Sequence, residues 1–228
     1  MEVVWENRGE VATAFSYTLV LFVTSGILSL VMGTILAAMR VGPVAVMRWA
    51  ASTYVTLVRN TPLLIIYMFF RIGGPKIDLK FTWVDWTIGN VDLDTYVASG
   101  IVALTVYTST FVCEALRSGV NAVPIGQAEA ARAIGMPFAG TMRHVIIPQA
   151  FRASVPPLAS VQIALLKNTT VIGALGVVEA FTYMYELTND NAAARIGIFL
   201  SFAAIFVVLV ELLSFAANRL ERRWSVAR

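Results

Sequence analysis

Charged residues are scarce in this sequence. They make up 14% of the 228 residues, whereas hydrophobic residues make up 58% and the mean hydropathy is +0.75. Soluble domains contain about a quarter charged residues, so this composition excludes an ordinary soluble protein. No charged residue occurs from 11 to 39 or from 95 to 113. Because about 20 apolar residues cross the ~30 Å hydrocarbon core as a helix, the sequence predicts an integral membrane protein.

Cysteine and histidine are almost absent, and a phosphate-binding motif is missing. The single cysteine, Cys113, excludes an internal disulfide, and the single histidine, His144, predicts no metal cluster. The sequence contains no G-x-x-x-x-G-K-[ST] loop, so this chain is not expected to hydrolyse ATP. The sequence also lacks an H-E-x-x-H motif, which would predict metal ligands, and a Ser/His constellation, which would predict catalytic residues. The net charge of +3 indicates membrane orientation rather than nucleic-acid binding.

The apolar runs predict a single all-α transmembrane domain over residues 1–228. Its five expected spans are 12–39, 49–70, 95–116, 153–177 and 196–218. Since five is odd, the two termini lie on opposite sides of the membrane. With the N-terminus outside, cytoplasmic segments hold ten of the 17 lysine and arginine residues and outer segments hold five. The positive-inside rule therefore predicts an outer N-terminus and a cytoplasmic C-terminus.

The segment 118–152, which we call the coupling loop, is cytoplasmic in this topology. Pro124 and Gly135 bracket one short helical pattern, and Pro137 and Pro148 bracket a second. Proline is tolerated in the first turn of a helix, and glycine suits the left-handed position after its end. Neither helix is long enough to span a bilayer. Such a helix fits a groove on a partner protein, or alternatively rests on lipid headgroups.

The coupling loop resembles the EAA motif of ATP-binding cassette (ABC) importer permeases. That motif is E-A-A, three residues, G, nine residues and I-x-L-P. The sequence has the same spacing, with its identical residues at Glu129, Ala130, Ala131, Gly135 and Pro148. It departs from the pattern only by valine and isoleucine at two aliphatic positions. The resemblance implies that this loop docks into a cleft on a separate ATPase. Glu129 would fix the docking helix, the two alanines would permit close approach, and Gly135 would allow the turn.

Three further segments resemble the polar amino-acid permease family. Residues 59–63 are R-N-T-P-L, residues 107–111 are Y-T-S-T-F, and residues 167–170 are K-N-T-T. They are most similar to glutamate importer permeases of actinobacterial type. The resemblance implies the ABC type I importer permease fold in a bacterial cell membrane. It also implies transport of a polar amino acid, with glutamate expected first and aspartate or glutamine as alternatives.

The same resemblance implies a set of partners. Two ABC ATPase subunits would bind ATP and magnesium, so that this chain itself needs no cofactor. A second permease, expected to be a related chain rather than a second copy, would complete the pathway within the membrane lipid. A binding protein outside the cytoplasm would deliver the amino acid. The main alternative is a gradient-driven secondary transporter, but such folds usually have internal repeats and more spans.

Two basic residues lie inside predicted spans, where an ionisable group costs about 2.5–3.5 kcal/mol at the helix centre. Arg59 is followed closely by Pro62. Transporters tend to bind substrates at broken or polar helix segments near the membrane midplane. The residues that we therefore predict to line the substrate pathway are Arg59, Lys167, Asn168, Thr169 and Thr170.

Structural roles are the alternative for these basic residues. Arg59 and Lys167 could extend towards the interface or pair with Glu114 or Glu211. Glu114 also lies three residues before Arg117, a spacing that places both side chains on one helical face. We expect that pair to anchor the third span.

Overall fold

The computed structural model describes residues 2–224, so Met1 and residues 225–228 at the ends of the predicted domain lie outside the described residues. The described chain is mostly helical. Its α-helices are α1 (Glu2–Glu6), α2 (Arg8–Val41), α3 (Ala45–Arg59), α4 (Leu63–Met68), α5 (Thr95–Asn121), α6 (Ile125–Ala133), α7 (Phe138–Thr141), α8 (Ile147–Asn168), α9 (Ala180–Asp190) and α10 (Arg195–Trp224).

The prediction of about five spans is confirmed, but the second span is not a straight helix. Four segments are long and apolar enough to cross a membrane, and they contain α2, α5, α8 and α10. The fifth is a broken pair, Ala45–Arg59 and Leu63–Ile77, bent by 103°. Pro62 explains the break, because its ring disfavours helical backbone at Thr61 and its nitrogen has no proton to donate. Arg59 therefore ends α3 instead of lying inside a continuous helix.

A small hairpin follows the broken span. After α4, the chain continues as a π-helical segment (Phe69–Gly73) and a 3-10 turn (Gly74–Ile77). Strands β1 (Trp86–Ile88) and β2 (Val91–Leu93) then pair antiparallel. The sequence did not predict this hairpin, because its anchorage is long-range. β2 buries side chains against α2 and α5, and the backbone N–H of Asp92 donates to the Tyr17 hydroxyl at 3.1 Å.

The coupling loop contains the first predicted short helix but not the second as a separate element. α6 matches the pattern between Pro124 and Gly135. The expected boundary at Pro148 is wrong, because α7 continues through a π-helical segment (Met142–Ile146) directly into α8. Pro148 lies at the start of α8, directly after the π-helical segment, so the change in helical turn falls where this residue has no N–H to donate. The fourth span consequently begins before residue 153.

Helix α5 occupies the centre of the bundle, packed against α2 on one side and α8 on the other. The main core cluster joins Leu21 of α2, Leu104 of α5 and Leu165 of α8, each with no exposed surface. Near the coupling loop, α5 and α8 approach closely at Gly119. A Cβ atom added there would lie 1.9 Å from the Ser154 hydroxyl oxygen. Helix α5 therefore connects the coupling loop with the middle of the bundle.

Candidate functional site

Helix α6 presents most of its surface to the outside of the chain. Glu129 and Ala130 are exposed, whereas Ala131 is buried on the face towards the π-helical segment before α8. Ile134, directly after the helix, is 79% exposed. A short helix that exposes small residues and an apolar tip is suited to insertion into a groove of another protein.

Gly135 shapes the turn that ends α6. Its φ of +83° lies in the left-handed region, which glycine adopts without the steric penalty of a Cβ atom. The Met136 N–H donates to the Ala131 carbonyl at 3.0 Å, and the Gly135 N–H donates to the Arg132 carbonyl at 2.9 Å. These two hydrogen bonds form a Schellman motif, which satisfies carbonyls at the helix end. The predicted sharp turn at Gly135 therefore has a defined backbone geometry.

An ion-pair cluster lies at the end of α5 that leads into the coupling loop. Glu114 accepts hydrogen bonds from Arg40 of α2 on one oxygen and from Arg117 Nε, at 3.2 Å, on the other. The predicted pair between Glu114 and Arg117 is confirmed. The partner Arg40 was missed, because it is 74 positions away in the sequence. With these two arginines in place, the suggested pairing of Glu114 with Arg59 or Lys167 is wrong.

Arg59 lies beside an aromatic ring of α5. Its guanidinium carbon is 5.6 Å from the centre of the Phe111 ring. The centre of that ring is in turn 5.0 Å from the centre of the Tyr107 ring. A guanidinium within about 6 Å of a ring face is attracted by the ring quadrupole, an arrangement that holds the cation without neutralising it. Arg59 thus remains available to an anion.

The same two rings line a cavity of about 320 Å³ between α5 and α8. Thr108 and Asn168 also contribute to its wall. The Thr108 hydroxyl is buried and has no hydrogen-bond partner within residues 2–224. Buried polar groups are normally paired, so an unpaired hydroxyl in a cavity wall marks a place where a ligand or water can bind. The volume lies at the lower end of the range for small-molecule sites.

The cavity lies near the middle of the membrane-spanning part. Tyr107 and Phe111 are both close to the midpoint of α5, which extends from Thr95 to Asn121. At 1.5 Å per residue, that helix is about 40 Å long and exceeds the hydrocarbon thickness at both ends. The cavity is therefore remote from both ends of α5.

The structure separates the predicted pathway residues into two groups. Asn168 lines the cavity, and Arg59 contacts one of its aromatic walls. Lys167 is exposed at the end of α8, where its carbonyl accepts a hydrogen bond from the Thr170 hydroxyl at 2.8 Å. Thr169 is completely buried, and its hydroxyl donates to the Leu166 carbonyl at 2.7 Å. Thr169 therefore supports the helix end from within the core.

Sequence reasoning did not assign Tyr107, Thr108 or Phe111 to the pathway. The available signal was weak. Two aromatic residues four positions apart enclose a run of three hydroxyl residues in an otherwise apolar span. Residues four apart share a helical face, but the pattern alone does not show that this face borders a cavity.

Comparison with known proteins places this architecture in a family. Residues 29–226 match the model of the family described as the inner membrane component of binding-protein-dependent transport systems. The chain belongs to this family. It is therefore a multi-pass membrane protein of an importer, and its several long apolar helices are consistent with that assignment.

Relatives with described roles match over almost the whole chain. The glutamate transport system permease protein GluC of Corynebacterium glutamicum is 37% identical over 229 residues, covering 100% of both chains. The probable glutamine ABC transporter permease protein GlnM of Bacillus subtilis is 32% identical, covering 98% of this chain and 97% of the relative. This chain is accordingly an ABC importer permease subunit, and ATP hydrolysis belongs to a separate subunit in such systems.

A solved structure agrees with the fold. A crystal structure of an amino acid ABC transporter with histidines superposes with a TM-score of 0.83 and 26% identity. The match covers 96% of each chain. The expected ABC type I permease fold is confirmed.

Proposed function

We propose that this permease carries glutamate, with aspartate and glutamine as its nearest alternatives. One observation supports this choice most strongly: the guanidinium of Arg59 lies over the ring of Phe111, which lines a cavity together with Thr108 and Asn168. An arginine can bind a carboxylate with two parallel hydrogen bonds, while hydroxyl and amide groups can bind the remaining polar atoms. The full-length similarity to a glutamate permease supports the same substrate.

The mechanism follows from the connection between the coupling loop and the cavity. Two ATPase subunits, holding ATP and magnesium, would close on each other, and the subunit that holds α6 would move it through contacts with the exposed residues Glu129 and Ala130. Because α6 follows α5 directly, that movement would reach the aromatic wall of the cavity. The pathway would then open alternately to the two sides of the membrane.

We also infer an orientation in the membrane and a set of partners. The N-terminus faces outwards and the coupling loop faces the cytoplasm, in agreement with the positive-inside rule. Five spans do not enclose a pathway alone, so a related second permease completes it. A binding protein on the outside delivers the amino acid to the pair.

Cysteine labelling tests the orientation with little background, because the single native cysteine, Cys113, is fully buried. Lys76→Cys would place a thiol on the predicted outer side, and Gln127→Cys would place one on exposed α6. In intact cells, a membrane-impermeant maleimide should label Lys76→Cys but not Gln127→Cys. Inverted vesicles should give the reverse result. Labelling of Gln127→Cys in intact cells would contradict the proposal.

Substrate choice is tested by uptake into proteoliposomes that contain the permease pair, the ATPase and the binding protein. Uptake of labelled glutamate should be reduced by excess unlabelled glutamate and by aspartate or glutamine. Lysine should have little effect, because a cationic side chain is repelled by Arg59. Equal competition by lysine would contradict a pathway that disfavours cationic side chains.

A further inference from the structure

An apolar groove opens between α2, α5, α8 and α10 at the end of the bundle that carries the coupling loop. It consists of two adjoining cavities of about 330 and 510 Å³. Thr34, Leu116 and Phe151 line both cavities, so the two form one continuous groove. The groove begins at Gly42 and reaches Leu30 further along α2. It is separate from the cavity beside Arg59.

The walls of this groove are almost entirely hydrocarbon. The hydroxyl of Thr34 donates to the Leu30 carbonyl at 2.7 Å, and that of Ser154 donates to the Ala150 carbonyl at 2.8 Å. Both hydroxyls are therefore satisfied within their own helices. Among the lining residues, which all belong to the described part of the chain, one buried side-chain atom has no hydrogen-bond partner. It is Nε2 of Gln162, at the inner end of the groove. Such a surface selects an apolar occupant rather than a polar solute.

The length of the groove corresponds to one leaflet of a bilayer. From Gly42 to Leu30 the groove follows α2 for about 18 Å at 1.5 Å per residue. Half of a ~30 Å hydrocarbon core is about 15 Å. A single acyl chain lying along α2 would therefore fit, with its polar end at the Gly42 side.

A basic side chain is held at that polar end. Nη1 of Arg48 donates to the Gly42 carbonyl at 2.9 Å, which holds this guanidinium at the mouth. Gly42 itself lines the groove, so the charge lies next to its opening. This charge favours an anionic headgroup over a zwitterionic one, because each basic residue near a membrane surface attracts anionic lipid.

We propose that this groove binds one acyl chain of an anionic phospholipid from the cytoplasmic leaflet. Its headgroup phosphate lies against Arg48, and its chain lies between α2, α8 and α10. The lipid thereby fills the space next to the helices that enter and leave the coupling loop. The leaflet assignment uses the orientation proposed above, whereas the site itself does not depend on the transported amino acid.

Native mass spectrometry of the complete transporter tests this site. Phosphatidylglycerol and phosphatidylcholine with identical chains are titrated separately, and the bound lipid is counted. Ala159→Phe fills the groove, and Val208→Phe adds the same ring at an exposed position of α10 outside it. Arg48→Gln removes charge at the mouth, and Lys76→Gln is its matched control in an exposed loop.

The wild-type transporter should retain phosphatidylglycerol in preference to phosphatidylcholine. Ala159→Phe should lose this retention, whereas Val208→Phe should keep it. Arg48→Gln should bind phosphatidylglycerol about five-fold more weakly, the effect of one basic residue at a membrane surface, and Lys76→Gln should not change. Because Arg48 is exposed, its variant remains informative if the larger ring at residue 159 prevents folding.

Two results would overturn the proposal. One is equal retention of the two lipids by the wild-type transporter. The other is a disulfide between Ala159→Cys and a cysteine in the second permease, which would show that protein covers the groove.

Discussion

The guanidinium of Arg59 lies over the ring of Phe111, with 5.6 Å between the guanidinium carbon and the ring centre. These residues belong to α3 and α5, and the bend of 103° after Arg59 brings the end of α3 to this place in the bundle. The charge of Arg59 is thus held next to a ring that lines the cavity. Arg59 has no acidic partner among the ion pairs found in residues 2–224. This relationship connects the broken span with the proposed substrate.

Removing the charge should impair transport of an acidic amino acid. We expect Arg59→Gln to reduce glutamate uptake by about ten-fold or more, because a hydrogen bond to a charged group contributes about 1.5–3 kcal/mol. Arg59→Lys should retain part of the activity, since the charge remains but the bidentate geometry is lost. Initial rates in proteoliposomes measure both effects.

Arg8→Gln is a suitable control for Arg59→Gln. Arg8 also lies over an aromatic ring, 5.3 Å from the centre of the Trp5 ring. It is the first residue of α2, whereas the cavity is lined by residues of α5 and α8. Its loss should leave uptake unchanged. If the two glutamine variants transport glutamate at the same rate, Arg59 has no role in the pathway.

The turn at Gly135 should be sensitive to an added methyl group. An L-residue at φ +83° is strained by about 1 kcal/mol or more. Gly135→Ala should therefore distort the end of α6. We expect weaker association with the ATPase, measured by co-purification, and lower transport-stimulated ATP hydrolysis.

Gly126 provides the matched glycine control. It lies within α6, and an added Cβ would meet no atom within 4 Å. Gly126→Ala should therefore preserve assembly. Equal loss of ATPase binding in both alanine variants would show that the turn geometry is not what the partner requires.

The ion pairs of Glu114 should stabilise the junction between the bundle and the coupling loop. Glu114→Gln removes the charge that Arg40 and Arg117 share, and we expect a loss of about 1–3 kcal/mol in the free energy of unfolding. Thermal denaturation of the purified complex measures this loss. Glu211→Gln, at an exposed position of α10, should have a much smaller effect, and equal shifts would contradict a specific role for Glu114.

We expect the buried carboxyl group of Glu179 to make the stability of the protein depend on pH. Its carboxylate accepts hydrogen bonds from the N–H groups of Phe181 and Thr182 at 2.9 and 3.0 Å, and it is completely buried before α9. Burial raises the pKa of this carboxyl to about 7 from an ordinary value of 4.5, although these hydrogen bonds oppose the rise. The native protein therefore binds this proton more tightly than the unfolded chain does.

The sign of the effect follows from that difference. The contribution of Glu179 to stability is greatest below pH 4.5, falls as the pH rises towards 7, and changes little above it, with a span on the order of 3 kcal/mol. Glu179→Gln should remove this slope in denaturation measured from pH 5 to 8, while Glu186→Gln, exposed on α9, should retain it. An unchanged slope in Glu179→Gln would contradict this assignment.

The sequence was most informative where local rules act. The length of the apolar runs located the spans, and proline and glycine located α6 and the turn at Gly135. Those signals depend on a few neighbouring residues, so they can be seen without the fold. Pro148 was misplaced by the same logic, because a proline that ends one helix and a proline that begins the next look alike in sequence.

Features built from distant residues were not predictable. Arg40 reaches Glu114 only because α2 and α5 pack side by side, and the β-hairpin depends on burial against both helices. The short helix α9 was also missed, because its N-cap, Glu179, is anchored through Thr18, whose hydroxyl accepts from the Ala180 N–H at 3.2 Å. The cavity wall at Tyr107 and Phe111 likewise requires α8 to be placed opposite.

The most direct test of the central claim is glutamate uptake by proteoliposomes containing the permease pair, the ATPase and the binding protein. An ATP-driven importer should accumulate glutamate when ATP is enclosed on the ATPase side, and collapse of the proton gradient should not reduce the rate. Gly135→Ala should lower both ATP hydrolysis and uptake in the same preparation. Uptake that continues without ATP and stops when the proton gradient collapses would contradict the claim and identify a secondary transporter.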